Sequence, residues 1–194
     1  MDEIKIIKTD EQVEVNKLVC KLAFLVEGKS INEKLIEDLK KSNILVMSCT
    51  NKVKQFKQLV FEDNVSVHET LIRIIDTTLE PALVNLTIQD FLLFFTDNES
   101  FNVIKEPYAM VTPRDAIILM NCSKDTEFQE ILNFKNKFSD NLSGKILWGA
   151  VIDEYTTKAD KIIILGKEED YDLTEIYGMM EDNWCNAIHG GFKK

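Results

Sequence analysis

Runs of branched apolar residues alternate along this chain with segments whose apolar residues recur at helical spacing, and that alternation is the strongest constraint on its fold. IKII at 4–7 and LVCKLAFLV at 18–26 read as strands. After Glu27-Gly28 comes Ser30-x-x-Glu33, whose hydroxyl and carboxylate suit the free N–H groups of a helix start. Ile31, Leu35 and Leu39 then follow at helical spacing, with Lys40 and Lys41 at the negative end of the dipole. ILVMS at 44–48 is the next buried strand, and the run Lys52, Lys54, Lys57, interrupted by Val53, Phe56 and Val60, reads as a helix with a basic face. Ser66-x-x-Glu69 opens another helix with an apolar face of Leu71, Ile72, Ile75 and Leu79, which Pro81 stops. Thr87-x-x-Asp90 caps a short helix through DFLLFF, a run that suits a strand equally. AIILM at 116–120 is a strand, and Ile131, Phe134 and Phe138 mark a helix over 126–140. KILWGAVID at 145–153 and KIIIL at 161–165 pair as an antiparallel hairpin across EYTTKAD. This order predicts an α/β chain with one parallel and one mixed sheet.

Composition narrows the function. A chain of 194 residues, 45% hydrophobic and 29% charged, can bury a real core and is not disordered. Its formal net charge of −10 sets a nonspecific grip on nucleic acid or an anionic membrane against electrostatic repulsion. The charged start MDEIKIIKTDEQ and the lack of any apolar run near the ~18 residues of a membrane span imply a soluble, cytoplasmic protein, and Met1 fits a natural start. Cys20, Cys49, Cys122 and Cys185 are too scattered for a metal site and read as buried thiols of a reduced compartment. Only seven glycines occur, and the adjacent pair, Gly190 and Gly191, lies near the end. No glycine-rich phosphate cradle opens any helix, so neither a cofactor nor a metal is expected.

The strings PALVNLTIQDF, DAIILMN and KILWGAVIDEYTTKADKIIILG, in this order, resemble the tubulin-like division GTPase family of FtsZ. That family reads roughly P-G-L-I-N-L-D-F-A-D in the loop after its central helix, G-V-L-V-N-I-T in a long strand, and I-I-F-G-x-V-I-D-E in a later hairpin. Upstream, LAFLVEGKS is similar to the strand ending P-F-x-x-E-G, and ILVMSCTNK to L-I-V-I-P-N-D-K. The resemblance spans about residues 18 to 166. It implies a remnant of the nucleotide domain's parallel βαβ layer over 1–65, a central helix over 66–80, a mixed-sheet domain like the FtsZ C-terminal domain over 81–166, and an acidic tail over 167–194. The departures carry as much meaning. The loop G-G-G-T-G-T-G should precede residue 18, where no glycine stands, and the stretch between Phe95 and Asp115 is too short for the family's extra strand and helix. The resemblance therefore implies a GTPase relative without the half that holds GTP.

In the family's loop, two acids reach the nucleotide of the next subunit and help position the attacking water. Asn85 and Asp90 match this loop, while Thr87 replaces the first acid with a hydroxyl that cannot supply its charge. Asp90 also reads simply as a first-turn capping acid. Leu173, Ile176, Tyr177, Met180 and Trp184 form a helical stripe after the acidic KEEDYD, either a terminal helix docked on the body or a partner-binding one. His68 and His189 have no metal-ligand constellation near them, Asp153-Glu154 read as turn acids, and Trp148 reads as core. The expected function is therefore noncatalytic: a protein partner, an FtsZ-like homologue or a second copy, is bound through Asn85, Thr87 and Asp90, capping a filament or subunit and so modulating division or cytoskeletal assembly. The alternatives are a scaffold that self-associates through strand edges and recruits a partner through its C-terminal helix, and a subunit that complements a GTPase.

Overall fold

The computed structural model describes residues 3–79, 82–105, 115–139, 144–153 and 159–167. Eight strands form one sheet: β1 (Ile4–Lys8), β2 (Leu22–Val26), β3 (Leu45–Ser48), β4 (Lys57–Phe61), β5 (Ser100–Ile104), β6 (Ala116–Cys122), β7 (Ile146–Ile152) and β8 (Asp160–Lys167). The helices are α1 (Glu33–Lys41), α2 (Val67–Thr78), α3 (Ile88–Asp97) and α4 (Phe128–Ser139), with a short 3-10 turn at Val15–Lys17. The strand order is β1-β2-β3-β4-β5-β8-β6-β7. Strands β1 to β5 pair in parallel, β6 and β7 pair in parallel, and β8 runs antiparallel between β5 and β6. The fold is α/β as expected, and its parallel and mixed halves are fused through the β4–β5 pairing.

Alternation along each strand divides the core into layers. On one face Leu22, Phe24, Met47, Leu59, Phe101, Val103, Ile117, Leu119, Ile162 and Ile164 form a continuous floor under α2 and α3. The ring of Phe95 lies 6.0 Å from Phe24, 5.6 Å from Phe94 and 5.1 Å from Phe101, so one α3 side chain joins both halves of the sheet. The other face has two separate layers. Leu35, Ile36 and Leu39 of α1 cover Ala23, Leu25 and Val46, and Ile131 of α4 packs with Ile118, Met120, Ile163 and Leu165.

Each outermost strand is hooked at one residue. Glu11 turns back on β1, its carboxylate accepting from the Lys8 N–H at 3.0 Å and its own N–H donating to the Lys8 carbonyl at 3.0 Å. On β7, Ala150 exchanges backbone hydrogen bonds of 3.0 and 3.1 Å with Val84. Such contacts occupy the donors and acceptors that another chain would use for strand pairing.

Several expectations are corrected. Helix α1 is capped by Asn32, whose side chain accepts from the Leu35 N–H, because the loop after β1 holds Asn32 at the helix start: the Asn32 N–H donates to the Thr9 carbonyl at 2.8 Å and its side-chain amide to the Glu11 carbonyl at 3.0 Å. The basic stretch around Lys57 forms a turn and then β4, since Leu59 is needed in the floor and the backbone pairs with β3 and β5. The run DFLLFF is helical. A strand, β5, does fit between Phe95 and Asp115, with Phe101 and Val103 turned into the floor. Strands β7 and β8 do not form a hairpin. Ile162 to Leu165 are buried on both faces, which calls for a central position, and β8 takes it between β5 and β6. Finally, α2 buries Leu71 and Ile74 together with Thr70, Arg73 and Thr77, while Ile72 and Leu79, assigned to its apolar face, are exposed. The C-terminal stripe from Leu173 to Trp184, His189, Cys185 and Glu154 lie outside the described residues.

Candidate functional site

The loop after α2 is held at three points. The Leu86 N–H donates to the Thr77 carbonyl at 2.9 Å, Val84 bridges to Ala150, and the Leu86 side chain is buried in the floor. Gly149 makes this approach possible: a Cβ there would lie 2.9 Å from Thr77 Cγ2 and 3.2 Å from Leu86 Cδ1. The loop then enters α3 through Thr87. Its hydroxyl accepts from the Asp90 N–H at 3.2 Å, and the Asp90 carboxylate accepts from the Thr87 N–H at 2.8 Å and the Thr87 hydroxyl at 2.6 Å. This is a complete capping box. It brings Thr87 and Asp90 together, with Asn85 exposed beside them. Asp90 Oδ2 is thus occupied by its own helix start.

A second constellation lies where α2 crosses the ends of β5, β6 and β8. Arg73 is buried among apolar neighbours, and its Nη2 donates to Asp160 at 2.7 Å and to Glu69. Lys105 completes the group at 3.4 Å from Glu69 and 3.5 Å from Asp160. Burial pushes the Asp160 carboxyl up, and hydrogen bonds from Arg73 and the Lys161 N–H, with the charges of Arg73 and Lys105, outweigh it and hold the group below its ordinary value. Glu69 is drawn into this group, so its side chain does not complete the capping box expected with Ser66. Only the Ser66 half, accepting from the Glu69 N–H at 3.3 Å, is made. Further along α2, Asp76 has no cationic partner among the described residues, and burial and then the charge of Asp153 push its carboxyl up. Asp153 in turn accepts from Asn121 at 3.1 Å. Sequence reading missed this group because Arg73 and Asp160 are 87 positions apart. An arginine set among Leu71, Ile72, Ile74 and Ile75 was its one visible sign.

In the parallel half, β1 to β5 cross the sheet in chain order without a reversal. The crevice that binds nucleotides in open α/β sheets forms where the order reverses, and these strands do not create one. An open cleft of about 1010 Å³ lies between the 3-10 turn and α1, lined by Glu14, Asn32, Lys34, Asp38 and Lys41 among others. His68 is exposed in the first turn of α2, and no group of three or more His, Cys, Asp or Glu able to hold a metal occurs among the described residues. Burial pushes the Cys49 thiol up to about 12, so it stays protonated, and Cys20, Cys49 and Cys122 are free thiols. Trp148 is half-buried against the α4-side layer, and no described helix is long and apolar enough to cross a membrane.

This architecture recurs among solved structures. No family model and no curated protein matches the chain. Among solved structures it is similar to CetZ from Methanosaeta thermophila, with a TM-score of 0.51 at 11% identity over 90% of this chain and 70% of that one. It also matches a mutant FtsZ and an empty FtsZ dimer, both from M. jannaschii, each at 14% identity, with TM-scores of 0.44 and 0.47 over 76% and 79% of this chain. The chain spans 56% and 57% of the length of those two FtsZ chains. The likeness to CetZ shows a shared fold and accords with the resemblance read in the loop and strand strings.

Proposed function

We propose that this protein is a noncatalytic member of the tubulin-like class that binds the subunits or filament ends of a polymerising homologue through the face carrying Asn85, Thr87 and Asp90, and so modulates cytoskeletal assembly or division. The single observation behind this reading is the capping box. It spends the Asp90 carboxylate on the start of α3 while the loop stays anchored to Thr77 and Ala150. An anchored, exposed loop whose acid accepts at its own helix start suits binding better than water activation. The chain-order crossing of β1 to β5 supports the same reading, since the parallel half forms no nucleotide crevice by strand reversal. Under this proposal residues 1–65 are the reduced nucleotide-domain layer and residues 81–166 the partner-facing domain.

The scaffold reading, self-association through strand edges, keeps most of the outer edges of β1 and β7, since the hooks occupy only Lys8 and Ala150. The competing reading is complementation, in which Asp90 leaves its cap and enters a partner's site. One experiment separates them. When the protein is added substoichiometrically to a polymerising tubulin-like GTPase, capping lowers GTP turnover and shortens filaments, and complementation raises turnover. Unchanged turnover and light scattering overturn both. Asn85→Ala should weaken the capping effect with the fold intact, because this side chain is exposed.

A further inference from the structure

Chain order breaks in the sheet where β8 enters between β5 and β6, and a cavity of about 110 Å³ lies there, at the carboxyl end of β6 and beside the first turn of α4. Its interior is apolar. Alternation along β6 sends Met120 and Cys122 to the α4 side of the sheet, where they are buried and pack with Ile131 of α4. Its rim is charged, with Glu130 of α4 and Asp160 and Lys161 of β8 lining the same cavity. Asp160 is matched by Arg73 and Lys105, whereas Glu130 is exposed and joins no ion pair among the described residues. An apolar interior below a carboxylate and an ammonium suits a molecule that is apolar at one end and carries both charges at the other.

We propose that this cavity binds a free apolar amino acid of about leucine's size, its side chain seated on Met120, Cys122 and Ile131, its ammonium at Glu130 and its carboxylate at Lys161. The size follows from the volume. An apolar cavity of roughly 150 Å³ takes up benzene, so this one admits a short branched side chain and little more. The charges select the head group. A purely cationic ligand gains Glu130 and is repelled by Lys161, a purely anionic one gains Lys161 and is repelled by Glu130, and a zwitterion gains both contacts. The position fits as well, since α/β sheets bind ligands outside the carboxyl ends of their strands and the positive end of a helix favours a carboxylate nearby. This inference goes beyond the filament-binding proposal and uses neither Asn85 nor Asp90.

The test titrates leucine into the full chain carrying isotope-labelled methionine methyls and follows the Met120 resonance by NMR, with Met47, buried on the opposite face of the sheet, as the internal reference. Leucine should shift the Met120 methyl saturably, with a Kd of about 1 mM, and leave Met47 in place. Isopentylamine, isocaproate and isopentanol keep the branched body and lack the carboxylate, the ammonium or both, and each should bind about fivefold more weakly. Free glycine, which has the head alone, should not shift Met120. Glu130→Gln should weaken leucine about fivefold without weakening isocaproate. Ala159→Leu sets a larger side chain at the mouth and should abolish the Met120 shift. Both positions are exposed, so thermal unfolding should stay nearly unchanged. No saturable Met120 shift, equal binding of any of the three analogues, or full leucine affinity in either variant would overturn the proposal.

Discussion

The two ends of the sheet are stabilised by different physics. At the β1–β3 end the strands follow one another in chain order, and apolar layers on both faces hold them together: Leu22 and Phe24 below, Ala23, Leu25 and Val46 under α1 above. Its ion pairs, such as Lys17 with Glu14 at 2.6 Å and Lys21 with Glu3 at 2.7 Å, are exposed and contribute little. At the β6–β8 end a strand late in the chain must slip between two earlier ones. There a buried guanidinium links α2 to β8 at Asp160, and a glycine in β7 admits the loop. Apolar matching is permissive about partners, and a contact between the buried Arg73 guanidinium and Asp160 is less so. The difference teaches that polar specification appears where chain order no longer dictates which strand lies beside which.

The sharpest way to test this comparison is at the residue that ties the β1–β3 end to the middle of the sheet. Phe95→Ala should cost about 3–5 kcal/mol, because the ring is fully buried between Phe24 and Phe101 and its loss leaves a cavity there. Urea unfolding followed by far-UV circular dichroism and by tryptophan fluorescence should then show one early transition. Two separated transitions would mean that the halves fold independently. Arg73→Met should cost about 2 kcal/mol, between the values for exposed and fully buried pairs, because Glu69 and Asp160 keep Lys105 and partial solvation.

The acid dependence of the Arg73→Met effect has a definite sign. Asp160 titrates below its ordinary value when folded, so the stability it supplies is present above that ordinary value and fades as pH falls through the lower folded one. The gap between wild type and Arg73→Met should therefore narrow in strong acid, and a gap independent of pH would reassign the loss to packing. Thr87→Ala removes the hydroxyl half of the capping box and should cost about 1 kcal/mol, measured as a lower urea midpoint, with little effect on the β1–β3 end.

Asp76→Asn is the smallest expected effect and has the opposite sign. The Asp76 carboxyl is raised in the folded chain, so ionisation there opposes folding near neutral pH and ceases to do so below its unfolded value. The variant should melt slightly higher than wild type at neutral pH, with the difference closing once both states are protonated. A lower melting temperature at neutral pH would show that Asp76 makes a stabilising contact.

Much of the fold was legible because it rests on short-range pattern. The strands at Ile4, Leu45 and Ala116 and the Ser66 and Thr87 caps depend on alternation or on residues three apart, and each formed. The Lys52–Val60 stretch was misread because helical spacing over one turn cannot compete with the pairing that β3 and β5 offer Lys57 to Phe61. Lys57 itself shows what the local pattern hides: its ammonium donates to the carbonyls of Phe95, Thr96 and Asn98 at 3.1, 2.9 and 2.7 Å, closing the end of a helix nearly forty residues away. The place of β8 was illegible for the same reason. Four buried residues in a row call for a central strand without naming its neighbours.

For the candidate loop, sequence alone placed Asn85, Thr87 and Asp90 in one short segment and identified the hydroxyl where a second acid would be needed. It left open whether Asp90 was a helix cap or a reacting group, and the structure shows the cap, with the Asp90 carboxylate accepting from the Thr87 N–H and hydroxyl. On α2, sequence determined that the helix is apolar enough to pack, yet only the tertiary structure decided which of its apolar sides packs. The sheet took the side with Leu71, Arg73 and Ile74, where β8 brings Asp160 to meet the guanidinium, and left Ile72 and Leu79 to solvent. Periodicity is a property of neighbours along the chain. The choice of face depends on charges brought together from far apart in it.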